Sequence, residues 1–445
     1  MVRVAKKKAQ PKSGPLQSDI LLARLNALHP KAIDLSLGRT KNLLRKLNNP
    51  EKLLKSIVHI AGTNGKGSTL AFIKSICENA GLKVNCYTSP HLIRFAERIY
   101  LSGQNIAETT LSLILEECEE ANAGSAVTLF EITTAAAFLA FSRSPADITL
   151  IETGLGGRFD ATNVIEDPLL TIITPISKDH TDWLGNTITK ITFEKAGILK
   201  PGSCALIGPQ IPEANVVIEN QAKKLGIETI RYGKDWSFSS SMDGFTLSTK
   251  DFHTDFPRPS LLGEHQVTNS ATAVMASKLL TKPVITNDVI SEGLISTSWE
   301  GRLQKLQGPS TKFLPKGGSL WLDGGHNPSA AKAIAKVISQ WQDQPVHLIF
   351  GYMKSRDPKE FLKPLAKYIG TLHAIDIPGE QSSLTAGECK LAARDLGISA
   401  TKSNSFLEAI EKITARSKKP SRILICGSLY LVGNVLNYEK TRSDK

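Results

Sequence analysis

The stretch SIVHIAGTNGKGSTLAFIKSICENAGLKVNCYT, residues 56–88, decides the fold. Its opening SIVHIA is a short run rich in β-branched side chains, the pattern of a strand buried on both faces. A glycine-rich turn follows, then apolar residues at helical spacing through Ala80, and KVNCYT (83–88) returns to the strand pattern. Strand, turn, helix and strand make a βαβ unit, so a mostly parallel sheet covered by helices is expected.

Upstream, Ser18 is placed to cap a helix reaching about Leu28, and a second amphipathic stretch covers 40–47. Downstream, helical patterns at 108–121 and 129–141 precede apolar strands at 148–152 and 169–174. Short alternating segments with Gly and Ser between 236 and 256 predict a small antiparallel part, and helices at 268–280 and 287–295 close the first half. Beyond Trp299 the alternation restarts, with strands at 319–323, 346–350, 371–376 and 422–426 separated by helices, one of them reaching Tyr368. The expected fold class is α/β with two domains: an N-terminal, P-loop-containing, mostly parallel sheet domain with a small antiparallel part, and a C-terminal Rossmann-like α/β domain. The expected divisions are a disordered basic leader over 1–17, a first domain over 18–297 and a second over 298–445.

Composition bounds the rest. In 445 residues, 41% apolar and 22% charged side chains are ordinary for a globular protein and exclude a fibre or a small disulfide scaffold. The apolar run AAAFLAF (135–141) is far shorter than the ~18 residues that span a bilayer, so no membrane partner is expected. Of the net charge of +12, Arg3, Lys6, Lys7, Lys8 and Lys12 sit in the leader, and no basic stripe interleaved with aromatics follows, which argues against nucleic acid as a partner. The six cysteines form no CxxC pair, and the leader lacks the apolar core of a secretory signal. The expectation is a cytoplasmic monomer with reduced thiols.

Chemistry concentrates in a few segments. GTNGKGST (62–69), between strand and helix, has glycines that let backbone N–H groups turn inward, a lysine to reach outer phosphates and a helix N-terminus behind them. It departs from GxxxxGK[ST], since Ile60 stands at the first glycine position and Gly67 where Ser or Thr normally follows the lysine. ETGLGGRFDATN (152–163) places Glu152 at the carboxyl end of a strand, where it could hold magnesium beside phosphates. A dinucleotide loop is the competing reading, weakened by the missing GxGxxG spacing. DHTDWLG (179–185) and EKAGILKPG (194–202) add His180 and Lys195, each by itself as well explained by a structural role.

Taken in order, IDLSLGR, GTNGKGS, YTSPHL, RFAERI, TLFE, ETGLGGRFDATN, DHTDWLG, EKAGI, WEGRLQ, DGGHNP and CGSLYLVG resemble the folylpolyglutamate synthase and dihydrofolate synthase family, a branch of the Mur ligase superfamily, bifunctional bacterial type. The resemblance implies an ATP-dependent ligase that activates a carboxylate as an acyl phosphate for attack by L-glutamate, with dihydropteroate and reduced folates as acceptors. ATP and Mg2+ are the implied cofactors. Thr63, Asn64, Gly65, Lys66, Gly67 and Ser68 would cradle ATP, with Asn269, Arg302, Asp323 and His326 reaching it from elsewhere. Ser89, Glu152 and His180 would hold magnesium, although magnesium prefers oxygen ligands and the chemistry of His180 alone suggests a base. Lys195 matches a position carried as a carbamate, and Lys66, His180 and carbamylated Lys195 form the implied catalytic set. Thr128, Leu129, Phe130 and Glu131 with Phe159, Asp160 and Ala161 would bind the pteroyl ring. For Asn269 a helix N-cap is an equal alternative, while Asp323 is expected to serve contacts more than the fold. Ala96 stands where family members commonly show Asn, which removes a local hydrogen bond. The alternatives are an enzyme restricted to one of the two ligations, a non-catalytic anion or nucleic-acid binder and a nicotinamide oxidoreductase.

Overall fold

The apolar run after Lys55 forms the strand Ile57–Ala61, with every residue buried. In the computed structural model, which describes residues 16–28, 33–280, 284–341, 343–416 and 419–443, it is a central strand of an eight-stranded sheet. Ile148–Glu152 pairs with it on one side and Leu170–Ile173 on the other, both parallel. Val84–Tyr87 extends the parallel sheet one way, Cys204–Ile207 and Thr229–Arg231 the other. Ile99–Leu101 and Gln104–Asn105 add an antiparallel edge. Strands that neighbour Ile57–Ala61 lead away in opposite directions, so a crevice opens at its carboxyl end, where ligands of such sheets bind.

Helices cover both faces. Leu129–Arg143 is buried along most of its length, from Glu131 through Phe141, because it packs between the sheet and the helices Gln17–Asn26, Gly38–Lys46 and Glu108–Asn122. Lys66–Asn79 packs on the opposite face with Glu264–Leu279 and Asn287–Ser296. The expected antiparallel part is a three-stranded sheet of Trp236–Ser240, Gly244–Thr249 and His253–Pro257, whose Trp236, Phe245, Leu247 and Phe256 join the same core. Each such side chain taken out of water contributes about 2 kcal/mol.

The sheet of the C-terminal domain has six strands. Ser319–Asp323, Arg422–Cys426, Val346–Phe350, Thr371–Ala374 and Ala400–Lys402 run parallel in that order, with Gln304–Lys305 antiparallel at one edge. No helix among the described residues is long and apolar enough to cross a membrane.

Several local expectations need correction. Ser18 lies inside the helix Gln17–Asn26, and its hydroxyl donates to Glu108 at 2.6 Å instead of capping. The helix expected over 268–280 begins at Glu264, so Asn269 is in its interior and is not an N-cap. The helix expected to reach Tyr368 breaks into Pro358–Leu362 and the 3-10 turn Ala366–Tyr368, because Pro364 cannot continue the hydrogen-bond ladder. Residues 1–15 of the expected leader lie outside the described residues, and Gln17 already opens a helix.

Candidate active site

The loop 62–65 leaves the strand Ile57–Ala61 and turns directly into the helix Lys66–Asn79. Gly65 takes a left-handed φ of 88°, and a Cβ there would fall 2.2 Å from Asn269 Oδ1, so only glycine fits between loop and helix Glu264–Leu279. The N–H groups of Thr63 and Asn64 donate to Pro175 O at 3.1 and 3.3 Å. This narrows the expected cradle, since those two amides are already spent. Inside the helix, the first-turn amides of Lys66, Gly67 and Ser68 have no carbonyl one turn back to receive them, and the helix dipole favours an anion there.

Two lysines converge beside this helix end. Lys66 Nζ lies 3.3 Å and Lys195 Nζ 2.8 Å from the same acceptor, Gly62 O. Burial, reinforced by Lys66, lowers the Lys195 amine to about 7. Lys66 Nζ is also 3.7 Å from Glu152 Oε1, and the Ser89 N–H donates to Glu152 Oε2 at 3.3 Å. Burial pushes the Glu152 carboxyl up, opposed by Lys66 and the Ser89 N–H.

Among the described residues no group of three or more His, Cys, Asp or Glu side chains is arranged to hold a metal. Glu152 with Ser89 nevertheless fits a hard cation, which typically takes one or two protein oxygens and completes its shell with phosphate and water. His180 is on another loop, with Nε2 3.4 Å from Arg356 Nη2, a neighbour that repels a cation.

The C-terminal domain walls the other side. Thr63, Asn64, Gly65, Lys66, Gly67, Ser68, Ser89, Glu152, His180, Lys195, Asn269, Arg302, Asp323 and His326 all line one cavity of about 900 Å3. Asp323 has a structural role besides: it is 4% exposed and accepts from the N–H groups of Leu303 at 2.9 Å and Gly325 at 2.7 Å, so it builds the turn that carries Arg302. His326 Nδ1 is 2.8 Å from Gly324 O, which makes Nδ1 the protonated nitrogen.

The candidate ring-binding residues are not among those lining this cavity. Thr128 and Glu131 form a reciprocal cap at the start of Leu129–Arg143, and Glu131 also accepts from Arg39 Nε at 3.0 Å. Leu129 and Phe130 pack against the core, and Phe130 covers Gly154, where a Cβ would fall 2.3 Å from its ring. Asp160 accepts from Leu155 N at 2.7 Å and from Thr162, Ala161 is buried, and Phe159 lies exposed with the Arg158 guanidinium 4.2 Å from its ring centre. Two of them touch the 153–156 segment of the cavity lining, Phe130 through Gly154 and Asp160 through the Leu155 N–H.

Comparison with known proteins decides the family. Residues 60–277 match the Mur ligase middle domain and residues 310–438 the dihydrofolate synthetase C-terminal domain. A dihydrofolate synthase/folylpolyglutamate synthase of Bacillus subtilis (strain 168) is 34% identical over 430 residues, covering 90% of this chain and 94% of the relative. The chain belongs to the dihydrofolate synthase/folylpolyglutamate synthase family. The structure titled Escherichia coli FolC in complex with DHPP and ADP is similar with a TM-score of 0.86 at 29% identity, covering 98% of this chain and 100% of that one. A bifunctional folylpolyglutamate synthase/dihydrofolate synthase with Mn, AMPPNP and L-glutamate bound gives 0.83 at 29% identity, covering 96% and 99%. The two-domain α/β class expected from the sequence is the one these synthases share.

Sequence reasoning passed over several residues of the cleft. Asp179 and Asn327 lie in DHTDWLG and DGGHNP beside His180 and Asp323, with no spacing of their own to mark them. Glu97 follows Ala96 in RFAERI with no spacing signal of its own. Arg356 follows the strand Val346–Phe350 in an irregular loop, and its one sequence signal was that it follows a strand's carboxyl end.

Proposed function

We propose that this protein joins L-glutamate to dihydropteroate, giving dihydrofolate, and to the glutamate tail of reduced folates, at the expense of ATP. The observation that carries the reading is the convergence of Lys66 and Lys195 on Gly62 O, beside Glu152 and a free helix N-terminus, in a cavity walled from both domains. Such a site suits a reaction that needs positioning and charge neutralisation more than covalent help from the protein. An acceptor carboxylate oxygen attacks the γ-phosphorus, the bond to the ADP oxygen breaks, and an acyl phosphate results. The glutamate amine then attacks the acyl carbon, loses a proton and expels phosphate.

In this reading Lys66 and the amides of Gly67 and Ser68 hold the phosphates, with Thr63 and Asn64 shaping the loop. Glu152 and Ser89 would hold magnesium, with His180 at the edge of the site; when bound, the ion neutralises phosphate charge. Asn269, Arg302 and His326 face the nucleotide, with Asp323 fixing the turn before them. The acceptor ring is assigned to the region of Thr128, Leu129, Phe130, Glu131, Phe159, Asp160 and Ala161, where Phe130 supplies an aromatic face. Lys195 carries a carbamate, formed when its neutral amine bonds to the carbon of CO2 and releases a proton. The domain boundary is placed between residues 297 and 298. We take the protein to act as a monomer, and six free thiols suit the cytoplasm.

The test is phosphate release from ATP with dihydropteroate and, separately, with a reduced folate, with and without L-glutamate. Sustained turnover is expected only with acceptor and glutamate together, and Lys66→Ala is expected to lower it more than ~100-fold. Rapid hydrolysis without an acceptor contradicts the assignment.

A further inference from the structure

Two loops of the N-terminal domain that border the candidate cation site are gripped from the C-terminal domain. The first carries His180, whose backbone sits in the left-handed region at φ 50°, ψ 41°. A side chain there costs about 1 kcal/mol or more and persists only where the surroundings impose it. What imposes it is the neighbouring carboxylate. Asp179 Oδ1 accepts from the His180 N–H at 2.9 Å and from Arg356 Nε and Nη2 at 3.1 and 2.8 Å. Asp179 Oδ2 accepts from Asn327 Nδ2 at 2.9 Å, and the same amide group donates to Asn64 Oδ1 in the phosphate loop at 3.0 Å. The Asp179 and Arg356 side chains are only 7% and 20% exposed. Burial alone would raise the Asp179 carboxyl, but His180, Arg356, His326 and the Asn327 hydrogen bond hold it well below the usual carboxylate range.

The second loop begins just after Ser89. Leu92 and Ile93 pack into the C-terminal core with Leu431, Val432, Val435 and Leu436. The helix Leu429–Ser443 sits so closely on this loop that a Cβ at Gly433 would fall 1.9 Å from Leu92 O.

We infer that Arg356 is a positioning residue that reaches across the cleft from the second domain, fixes the Asp179 carboxylate and thereby sets the His180 loop. The packing of Leu92 and Ile93 does the same for the loop after Ser89. Arginine suits the task because two of its N–H groups meet one oxygen in a fixed geometry that a lysine ammonium does not reproduce. The catalytic consequence rests on the ligase reading. The structural restraint does not, and it is measured separately.

Amide hydrogen exchange on the ligand-free full chain tests the restraint for Arg356→Met, Arg356→Lys and Asp179→Asn. Loss of a buried charge-assisted pair is expected to speed exchange over residues 180–185 by roughly tenfold or more in Arg356→Met, with the strands Ile57–Ala61 and Leu170–Ile173 unchanged and Arg356→Lys intermediate. In turnover assays Arg356→Met is expected to lower kcat by ~10-fold or more while the KM for ATP stays within about threefold. If Arg356→Met does not fold, the exchange pattern of Arg356→Lys and Asp179→Asn decides. Unchanged exchange over 180–185 in a folded variant overturns the inference. So does a rise in exchange spread evenly over the chain, or a raised KM for ATP with kcat intact.

Discussion

Two lysines meeting at Gly62 O set the chemistry of the site at the residue scale. A buried ammonium beside a second one is disfavoured, and Lys195 yields, its amine falling to about 7. A far larger share of it is then neutral near pH 7 than of an ordinary lysine. Only the neutral amine attacks CO2, so the depression is itself a cause of carbamate formation. The sign is fixed by linkage: the penalty for burying the ammonium is full below about 7 and fades as pH rises toward the ordinary lysine value. With carbon-13-labelled CO2, a carbamate NMR signal is expected to grow as pH rises through about 7, and to vanish in Lys195→Ala together with nearly all turnover. A signal that persists in that variant, or full activity in CO2-free buffer, contradicts the assignment.

At the scale of elements, the RFAERI segment shows how a departure can be misread. Ala96 has no hydrogen-bonding side chain, yet it is buried against the apolar core, and the loop is held by its neighbour. The Glu97 carboxylate accepts from the N–H groups of Leu92 at 2.7 Å, Ile93 at 3.1 Å and Arg94 at 2.9 Å. Glu97→Ala is expected to cost about 3 kcal/mol or more, since each hydrogen bond to a charged group is worth ~1.5–3. Thermal unfolding checks this, and a melting temperature equal to the parent's overturns it.

The same scale shows what could be read from the sequence. Strands buried on both faces, such as Ile57–Ala61 and Ile148–Glu152, announce themselves as unbroken apolar runs. Edge strands do not: Thr229–Arg231 and Ala400–Lys402 are three residues each and partly exposed, and were passed over. The helix Pro212–Leu225 has no counterpart in the sequence reading, because it buries only Ala214, Ile218 and Ala222, while the single helix expected between 376 and 422 is two, Ala386–Asp395 and Phe406–Arg416, with the short strand Ala400–Lys402 between them. Of the candidate site, the residues at strand ends were legible through their motifs. The ring-binding set was placed by resemblance, and its hydrogen bonds serve the start of Leu129–Arg143 and the turn at Asp160.

For the whole molecule, the sheets meet by the carboxyl ends of their parallel strands, so phosphate loop, cation site and the turn of Arg302 enclose one cavity. In the proposed reaction that cavity would hold an acceptor carboxylate, the γ-phosphate and an amine together, so that an acyl phosphate is attacked where it forms. Formation of this intermediate is tested most directly by oxygen tracing. Dihydropteroate bearing oxygen-18 in its carboxylate is turned over with ATP and L-glutamate, and the released phosphate is analysed by mass spectrometry. The expected result is the transfer of one labelled oxygen from each carboxylate to phosphate. Phosphate free of label, formed together with the amide product, would contradict the account.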